Sequence, residues 1–358
     1  MIRFNELKIL QLEISNHCNA SCPQCPRNYF GGKTIPTLPL KKWTLAEFKS
    51  IFNTELLENL QQIYFCGTFG DPMTNKNIVA MCQFIKNINS DIKIGIHTNG
   101  GVGTIDTFSA LAKYTDFIAF GIDGLQDTNH IYRRGTHWQK IIDNSRAYIT
   151  NGGKAIWDFI VFEHNQHQVD DAKTMSISLG FDSFNVKKTS RFFNRKHKLS
   201  DHQVVFDRNG QIDYTISIPT DPKYINEGYA EIKNLTRQSS MDQYIKDTEI
   251  SCNAIRINEV YIGAEGFVFP CGWLHDRFYG PEVENTKDHS LIKELLVKAG
   301  GWTKANVFYT PLPDIVNGAW FSTIEESWTS NNRLERCALL CGKNINVIGS
   351  QNKEIKYK

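Results

Sequence analysis

Short apolar segments alternate with helical segments six times between Ile9 and Lys187. The helical segments are typified by Trp43–Leu57, whose apolar residues fall on one face with Thr44 as a plausible N-cap. Such alternation predicts a parallel sheet with helices outside it. A closed eight-unit barrel takes roughly 250 residues, and only about 180 alternate here. We therefore expect an α/β fold with a partial (β/α)6 TIM-like barrel; an open sheet covered on both faces is the alternative.

The alternation of strands and helices ends after the last predicted strand. We assign residues 1–188 to the barrel core and residues 189–250 to a connecting insertion, with a hairpin around Asn209-Gly210. Residues 251–349 are rich in Trp and Gly and contain four cysteines, which predicts a smaller second domain. The polar residues 350–358 are expected to be a loose tail.

Three cysteines follow the first predicted strand directly. Cys18, Cys22 and Cys25 have the spacing C-x3-C-x2-C. Thiolates packed on one short loop suit an iron–sulfur cluster, and in a four-iron cluster one iron would be left open to bind a small molecule. The alternative is a structural zinc site with a fourth ligand such as His17.

Composition limits the class of protein. Lys and Arg total 40 against 38 Asp and Glu, a balance that argues against general nucleic-acid binding. No signal peptide is evident, and no run approaches the roughly 20 apolar residues of a membrane helix. Nine cysteines without an export signal indicate metal binding or catalysis in a reducing, cytoplasmic setting.

The cysteine loop resembles the signature of the radical S-adenosylmethionine (SAM) superfamily, which has this spacing after the first barrel strand. The resemblance implies a [4Fe–4S] cluster on Cys18, Cys22 and Cys25, with SAM on the open iron. It also implies a reductant such as flavodoxin or ferredoxin, and cleavage of SAM to a 5′-deoxyadenosyl radical that takes a substrate hydrogen atom. Many members have an aromatic residue before the third cysteine, where this chain has Gln24.

Turns after the later strands resemble further motifs of the superfamily. Gly67–Pro72 is similar to the glycine-rich turn after the second strand, with Asp71 in place of the usual Glu. His97–Gly100 and Gly121–Gly124 resemble the turns after the third and fourth strands, although Gly121 replaces a serine. The same residue types are common in ordinary turns, and a surface arginine is usually solvated. The resemblance implies that SAM contacts Gly67, Gly70, Asp71, Pro72, Thr98, Asn99, Asp123 and Arg133.

A second set of cysteines consists of Cys252, Cys271, Cys337 and Cys341. Cys337 and Cys341 are four residues apart and would share one helix face, while a predicted hairpin over Glu259–Pro270 precedes Cys271. Four thiolates suit zinc as well as an iron–sulfur cluster, and spacing alone does not choose between them. The spacing of Cys252, Gly266 and Cys271 resembles the start of SPASM and the shorter Twitch domains. That resemblance implies a second, auxiliary [4Fe–4S] cluster on a Twitch-like domain.

Two features have no clear place in these motifs. Cys66 and Cys82 are most simply explained as apolar packing residues. The stretch Lys187–Lys198 contains six Lys or Arg residues and no acid. It predicts either a solvated charged face or a site for a phosphate or an acidic substrate.

The functional expectation is a radical SAM enzyme that oxidises its substrate or forms a bond, with help from the auxiliary cluster. An oxidoreductase acting on a small molecule or a protein side chain is favoured, because no peptide-recognition segment is visible before Lys8. A peptide-modifying SPASM maturase is the second candidate. A zinc-bearing binding protein without enzymatic activity is the alternative from another class.

Overall fold

The six predicted strands form one parallel sheet. The structure is a computed structural model that describes residues 2–192, 200–238, 240–279, 286–343 and 355–356. The strands are β1 (Ile9–Leu12), β2 (Gln62–Phe65), β3 (Lys93–Thr98), β4 (Phe117–Gly121), β5 (Ala155–Val161) and β6 (Ser183–Lys188). They pair in chain order, each parallel to the next. The predicted α/β fold with a partial barrel sheet is confirmed.

Two strands that are distant in sequence extend this sheet. The predicted C-terminal hairpin is present as β9 (Glu259–Ile262) and β10 (Val268–Phe269), and β9 pairs parallel to β1. The sheet therefore continues across the predicted boundary at residue 250, because β9 satisfies the edge of β1 that would otherwise be unpaired. Residues Ile355–Lys356 form β11 on the other edge, antiparallel to β6, so this part of the predicted loose tail is a strand.

Helices connect the barrel strands. They are α1 (Leu45–Ile51), α2 (Thr54–Asn59), α3 (Ile78–Ile88), α4 (Ile105–Leu111), α5 (Asn129–Tyr132), α6 (Trp138–Thr150) and α7 (Val169–Leu179). The prediction of a single helix over Trp43–Leu57 is wrong. The helix is interrupted because the Asn53 side chain accepts a hydrogen bond from the amide of Leu56 and so starts α2 as its N-cap. The predicted cap at Thr44 is confirmed, and Gly180 in the left-handed conformation ends α7.

The predicted insertion contains a hairpin and the C-terminal region is mostly helical. The hairpin, β7 (His202–Phe206) and β8 (Ile212–Ser217), turns at Gly210, as predicted. The remaining helices are α8 (Gly228–Gln238), α9 (Met241–Asp247), α10 (Asn253–Arg256), α11 (Gly272–Tyr279), α12 (Lys287–Lys298), α13 (Leu312–Val316), α14 (Ala319–Ser327) and α15 (Glu335–Cys341). None of the helices in the described part of the chain is long and apolar enough to cross a membrane.

The fold brings the loops that follow the parallel strands to one cavity of about 1460 Å³. Parallel strands place their carboxyl ends on the same rim, which is where α/β folds bind ligands. The wall of the cavity also includes residues of α11, of α15 and of the segment after β6. The cavity therefore lies between the barrel rim and the C-terminal helices.

Candidate cluster and cofactor site

The three loop cysteines line this cavity. Cys18, Cys22 and Cys25 are all free thiols, and Cys22 is buried while the other two are half-buried. The amide of Cys25 donates to the carbonyl of Cys22 at 3.1 Å, which gives the second half of the loop a tight turn. The structure thus brings the predicted cluster ligands together on one surface.

Nitrogen donors approach two of the sulfur atoms. Asn99 Nδ2 lies 3.7 Å from Cys18 Sγ, and Arg133 Nη1 lies 3.8 Å from Cys22 Sγ. Burial raises the pKa of the Cys22 thiol to about 11, although the nearby Arg133 guanidinium lowers it. Donors and a cation directed at sulfur suit thiolates that ligate iron, so the residues present fit the cluster.

The buried carboxylate of Glu13 fixes the glycine-rich turn after β2. Glu13 accepts hydrogen bonds from the amides of Phe69 (2.9 Å) and Gly70 (2.7 Å) and from the hydroxyl of Tyr261 (2.6 Å). A Cβ atom at Gly70 would overlap the carbonyl of Ser15, so only glycine fits here. The turn consequently lies against the start of the cysteine loop, and it lines the cavity.

Sequence reasoning missed Glu13, although a charged residue inside the apolar run Ile9–Ile14 is a signal that was available. Burial is the main reason that the pKa of Glu13 is raised to about 7; His275 lowers this pKa and the neighbouring Glu265 contributes to raising it. The pKa of this carboxyl group is therefore higher in the folded protein than in the unfolded chain, where it is near 4.5. As a result, the free energy of unfolding falls as the pH rises from about 4.5 through about 7.

We expect Glu13→Gln to remove this pH dependence. Glutamine has the shape of the protonated acid and retains an oxygen for the two amides. Urea unfolding at pH of about 5.5 and about 8 should show that the free energy of unfolding falls by about 2 kcal/mol more in the wild type than in the variant between these values. Equal losses in the two proteins would contradict the assignment.

The side chain of Asp71 connects two of the predicted cofactor-binding turns. It is buried and accepts from Thr98 Oγ1 (2.9 Å), from the backbone amide of Asn99 (2.8 Å) and from Asn99 Nδ2 (2.8 Å). Asn99 Nδ2 also donates to Asn19 Oδ1 at 2.9 Å, inside the cysteine loop. Asp71 therefore positions Thr98 and Asn99, and Pro72 starts the short turn that follows it.

Asp123 and Arg133 form a buried ion pair at the end of β4. Arg133 Nε donates to Asp123 Oδ2 at 2.6 Å, while Asp123 Oδ1 accepts from the amide of Ile160 at 2.7 Å. A Cβ atom at Gly121 would overlap the guanidinium of Arg133, which explains the glycine where the superfamily motif has serine. Arg134 instead binds Asp213 and the Phe206 carbonyl. Of the two adjacent arginines, Arg133 is the one that lines the cavity.

Gln24 links the cysteine loop to the predicted basic stretch. Its side-chain oxygen accepts from Thr189 Oγ1 at 3.2 Å, and its carbonyl accepts from Arg191 Nη1 at 2.9 Å. Lys187 and Lys188 are paired with Asp158 and Glu227. Residues 187–192 line the cavity as the prediction of a substrate-facing stretch requires, and the rest of Lys187–Lys198 lies outside the described residues.

The second cysteine set converges behind the cavity wall. Cys252 is the N-cap of α10, Cys271 directly precedes α11, and Cys337 and Cys341 lie on α15 as predicted. Cys252 and Cys341 are hydrogen-bonded to each other, which raises the pKa of Cys252 and lowers that of Cys341. Burial and the nearby Cys252 raise the pKa of Cys271 to about 12. Four free thiols in mutual electrostatic contact fit a cluster.

In the described residues, neither set of cysteines is arranged as a site for a single metal ion. Within residues 2–192, 200–238, 240–279 and 286–343, no group of three or more His, Cys, Asp or Glu side chains is arranged to hold a metal ion. The ligand roles of the seven cysteines therefore stay predictions. Cys82 is buried in the core as predicted, whereas Cys66 is buried at the cavity wall.

Residues 12–176 match the family model of the radical SAM superfamily. This part of the chain is a radical SAM domain. The matched residues include the cysteine loop and the turns that carry Asp71, Asn99 and Asp123. A radical SAM domain uses a [4Fe–4S] cluster and SAM, which agrees with the donors found around the loop cysteines. The second cysteine set lies outside the matched residues.

Known proteins are similar to this chain in sequence or in fold. A Pyrococcus furiosus protein that modifies the cofactor of tungsten-containing aldehyde ferredoxin oxidoreductase is 23% identical over 308 residues, covering 80% of this chain and 79% of that protein. Streptococcus suis SuiB bound to SAM is 15% identical with a TM-score of 0.50, covering 87% of this chain. Native anSMEcpe with bound SAM is 12% identical with a TM-score of 0.52, covering 94% of this chain and 89% of that one. This chain spans 63% of the length of SuiB.

Proposed function

We propose that this chain is a radical SAM enzyme with two iron–sulfur clusters that oxidises its substrate or forms a bond in it. The observation that carries the proposal is the meeting of the cysteine loop, the glycine-rich turn, the turn after β3 and the Arg133 side chain at one cavity. Cys18, Cys22 and Cys25 would hold the first cluster. When bound and reduced, this cluster supplies the electron that cleaves SAM to methionine and a 5′-deoxyadenosyl radical.

The residues around the loop would hold and orient SAM. The carbonyl groups of the Gly67–Gly70 turn are acceptors for an ammonium group, because glycine permits a close approach. The guanidinium of Arg133 carries donors beyond the one used by Asp123, and these suit a carboxylate. Asn99 offers its amide at the rim next to Cys18. The buried carboxylates of Glu13, Asp71 and Asp123 fix these groups in place.

The second set of cysteines would hold an auxiliary cluster on a Twitch-like domain. Four cysteines are enough to ligate every iron of one [4Fe–4S] cluster, so this cluster would accept an electron from the substrate and would not bind the substrate. Gly272 and Trp273 next to Cys271, and Arg336 next to Cys337, line the cavity, which supports electron transfer from a substrate held there.

Two substrate classes have separate support. The P. furiosus relative modifies a cofactor, which favours a small molecule. SuiB has been solved bound to its precursor peptide SuiA, and its fold covers 87% of this chain, which favours the second candidate, a peptide-modifying enzyme. Mass spectrometry of the products made from candidate substrates of both kinds distinguishes the two.

The experiment that tests the two-cluster proposal is metal analysis after anaerobic purification. We expect a brown protein with about eight irons and eight sulfides per chain, as two cubes require. A colourless protein with two zinc ions would contradict the proposal and support the non-enzymatic zinc protein.

Changing Cys252 and Cys271 together to alanine should remove about half of the iron and sulfide. These residues are distant in sequence from the loop cysteines, so cleavage of SAM to 5′-deoxyadenosine should persist in the absence of substrate. Iron analysis and chromatography of the reaction mixture measure both effects. Full iron content in this variant would contradict an auxiliary cluster on these cysteines.

A further inference from the structure

Two guanidinium groups lie over the indole ring of Trp273 on the wall of the cavity. The Cζ atom of Arg191 is 5.5 Å from the ring centroid, and that of Arg336 is 5.2 Å from it. Both distances are in the range of cation–π attraction. Arg191 also donates to the carbonyl of Gln24, so it connects the cysteine loop to α11. Its side chain is held in position even though Arg191 is exposed.

The carboxylates on this wall are already engaged. Asp276 accepts from Arg277 Nε at 2.6 Å and from Arg336 Nη2 at 2.7 Å, so a single carboxylate serves two guanidiniums. Asp288 accepts from the backbone amides of Glu335 and Arg336 at the start of α15. Glu335 lies 3.8 Å from Lys287.

Arg191 differs from Lys187 and Lys188 in its ion pairing. Lys187 and Lys188 each have a carboxylate at 2.6 Å. Arg191 forms no ion pair with any carboxylate in the described part of the chain; its guanidinium contacts the Gln24 carbonyl and the ring of Trp273. A guanidinium has five N–H donors, and one of them is used by Gln24. Among the described residues, the cavity therefore contains a positioned cation whose other donors have no carboxylate within ion-pair distance.

We propose that Arg191, stacked on Trp273, binds a carboxylate or phosphate group of the substrate. This inference rests on the proposed function, because it places the substrate in the same cavity. A planar guanidinium binds either anion through two parallel hydrogen bonds. Gln24 precedes Cys25 and Trp273 follows Cys271 by two residues, so an anion bound here lies between the two cysteine sets. The substrate class is thus a molecule or peptide with an anionic group close to its reacting carbon.

Equilibrium dialysis of the anaerobically purified holoprotein against labelled inorganic phosphate, and separately against acetate, tests the proposal at low ionic strength. We expect Arg191→Gln to weaken binding of the preferred anion about tenfold or more, since it removes a charge-assisted pair of hydrogen bonds. Arg191→Lys keeps the charge without the planar fork and should show an intermediate loss. It also serves as the test if the glutamine variant does not fold. Arg146→Gln, on the exposed face of α6, is the matched control and should bind as the wild type does.

The outcomes separate clearly. An affinity for phosphate or acetate that depends on Arg191 supports the proposal, and the anion that binds more tightly identifies the chemical group. Binding that is unchanged in Arg191→Gln, or no binding of either anion by the wild type, overturns it. Formation of 5′-deoxyadenosine by the wild type is assayed separately. A failure of the radical SAM proposal would appear in that assay, whereas a failure of the anion site would appear in dialysis.

Discussion

Replacing Cys18, Cys22 and Cys25 together with alanine is expected to abolish the formation of 5′-deoxyadenosine and to remove about half of the bound iron. The three thiols line the cavity beside Asn99 and Arg133, which direct nitrogen donors at two of the sulfur atoms. Without these thiols the first cluster has no ligands, so no electron reaches SAM. The measurement is chromatography of the reaction mixture after reduction with dithionite, with iron analysis of the same sample.

The matched control for this experiment is Cys82→Ala. Cys82 is fully buried on α3 and packs in the core of the barrel, away from the cavity. Its replacement should cost about 1 kcal/mol of stability through the small void it leaves and should leave iron content and SAM cleavage unchanged. Wild-type levels of 5′-deoxyadenosine from the triple variant would show that these cysteines do not hold the cluster.

The second large effect is expected from Gly70→Ala. The added methyl group would overlap the carbonyl oxygen of Ser15 and would lie 2.5 Å from the Cα atom of Asn16, both backbone atoms at the start of the cysteine loop. Backbone atoms cannot move aside as the end of a flexible side chain can. The glycine-rich turn and the cysteine loop must therefore move apart. We expect a loss of stability of about 3 kcal/mol or more and at least a tenfold loss of SAM affinity. Thermal unfolding and equilibrium binding of SAM measure the two effects.

Gly210→Ala provides the comparison for this glycine substitution. Gly210 is at the tip of the β7–β8 hairpin, and a Cβ atom there would have no neighbour within 4 Å. Its φ of +86° makes alanine cost about 1 kcal/mol, without an effect on SAM binding. If Gly70→Ala binds SAM as tightly as the wild type, the turn does not contribute to the cofactor site.

The strand order and the cysteine loop were predictable because the signals that define them are local. A buried strand, a turn and an amphipathic helix each appear within a short window of sequence, as α6 and α7 illustrate. The sequence also pointed to Arg133, which lines the cavity, while its contact with SAM stays a prediction. Local spacing was not sufficient at Asn53, where a single side-chain cap divides the predicted first helix into two.

The remaining features depend on contacts between distant parts of the chain. The pairing of β9 with β1 joins residues about 250 positions apart, and a four-residue strand gives no sign of its partner. Glu13 supports the glycine-rich turn only because Tyr261 and the amides of Phe69 and Gly70 meet it in the folded protein. The stack of Arg191 on Trp273 likewise joins the insertion to the C-terminal helices. Sequence spacing does not predict such encounters.

The central claim is that this protein generates a radical from SAM at the cysteine loop. Its most direct test is to reduce the anaerobically purified protein with dithionite, add SAM without substrate, and quantify 5′-deoxyadenosine by liquid chromatography and mass spectrometry. We predict slow formation of 5′-deoxyadenosine and methionine in equal amounts. A protein that contains its iron and sulfide and yields no 5′-deoxyadenosine under these conditions would contradict the claim.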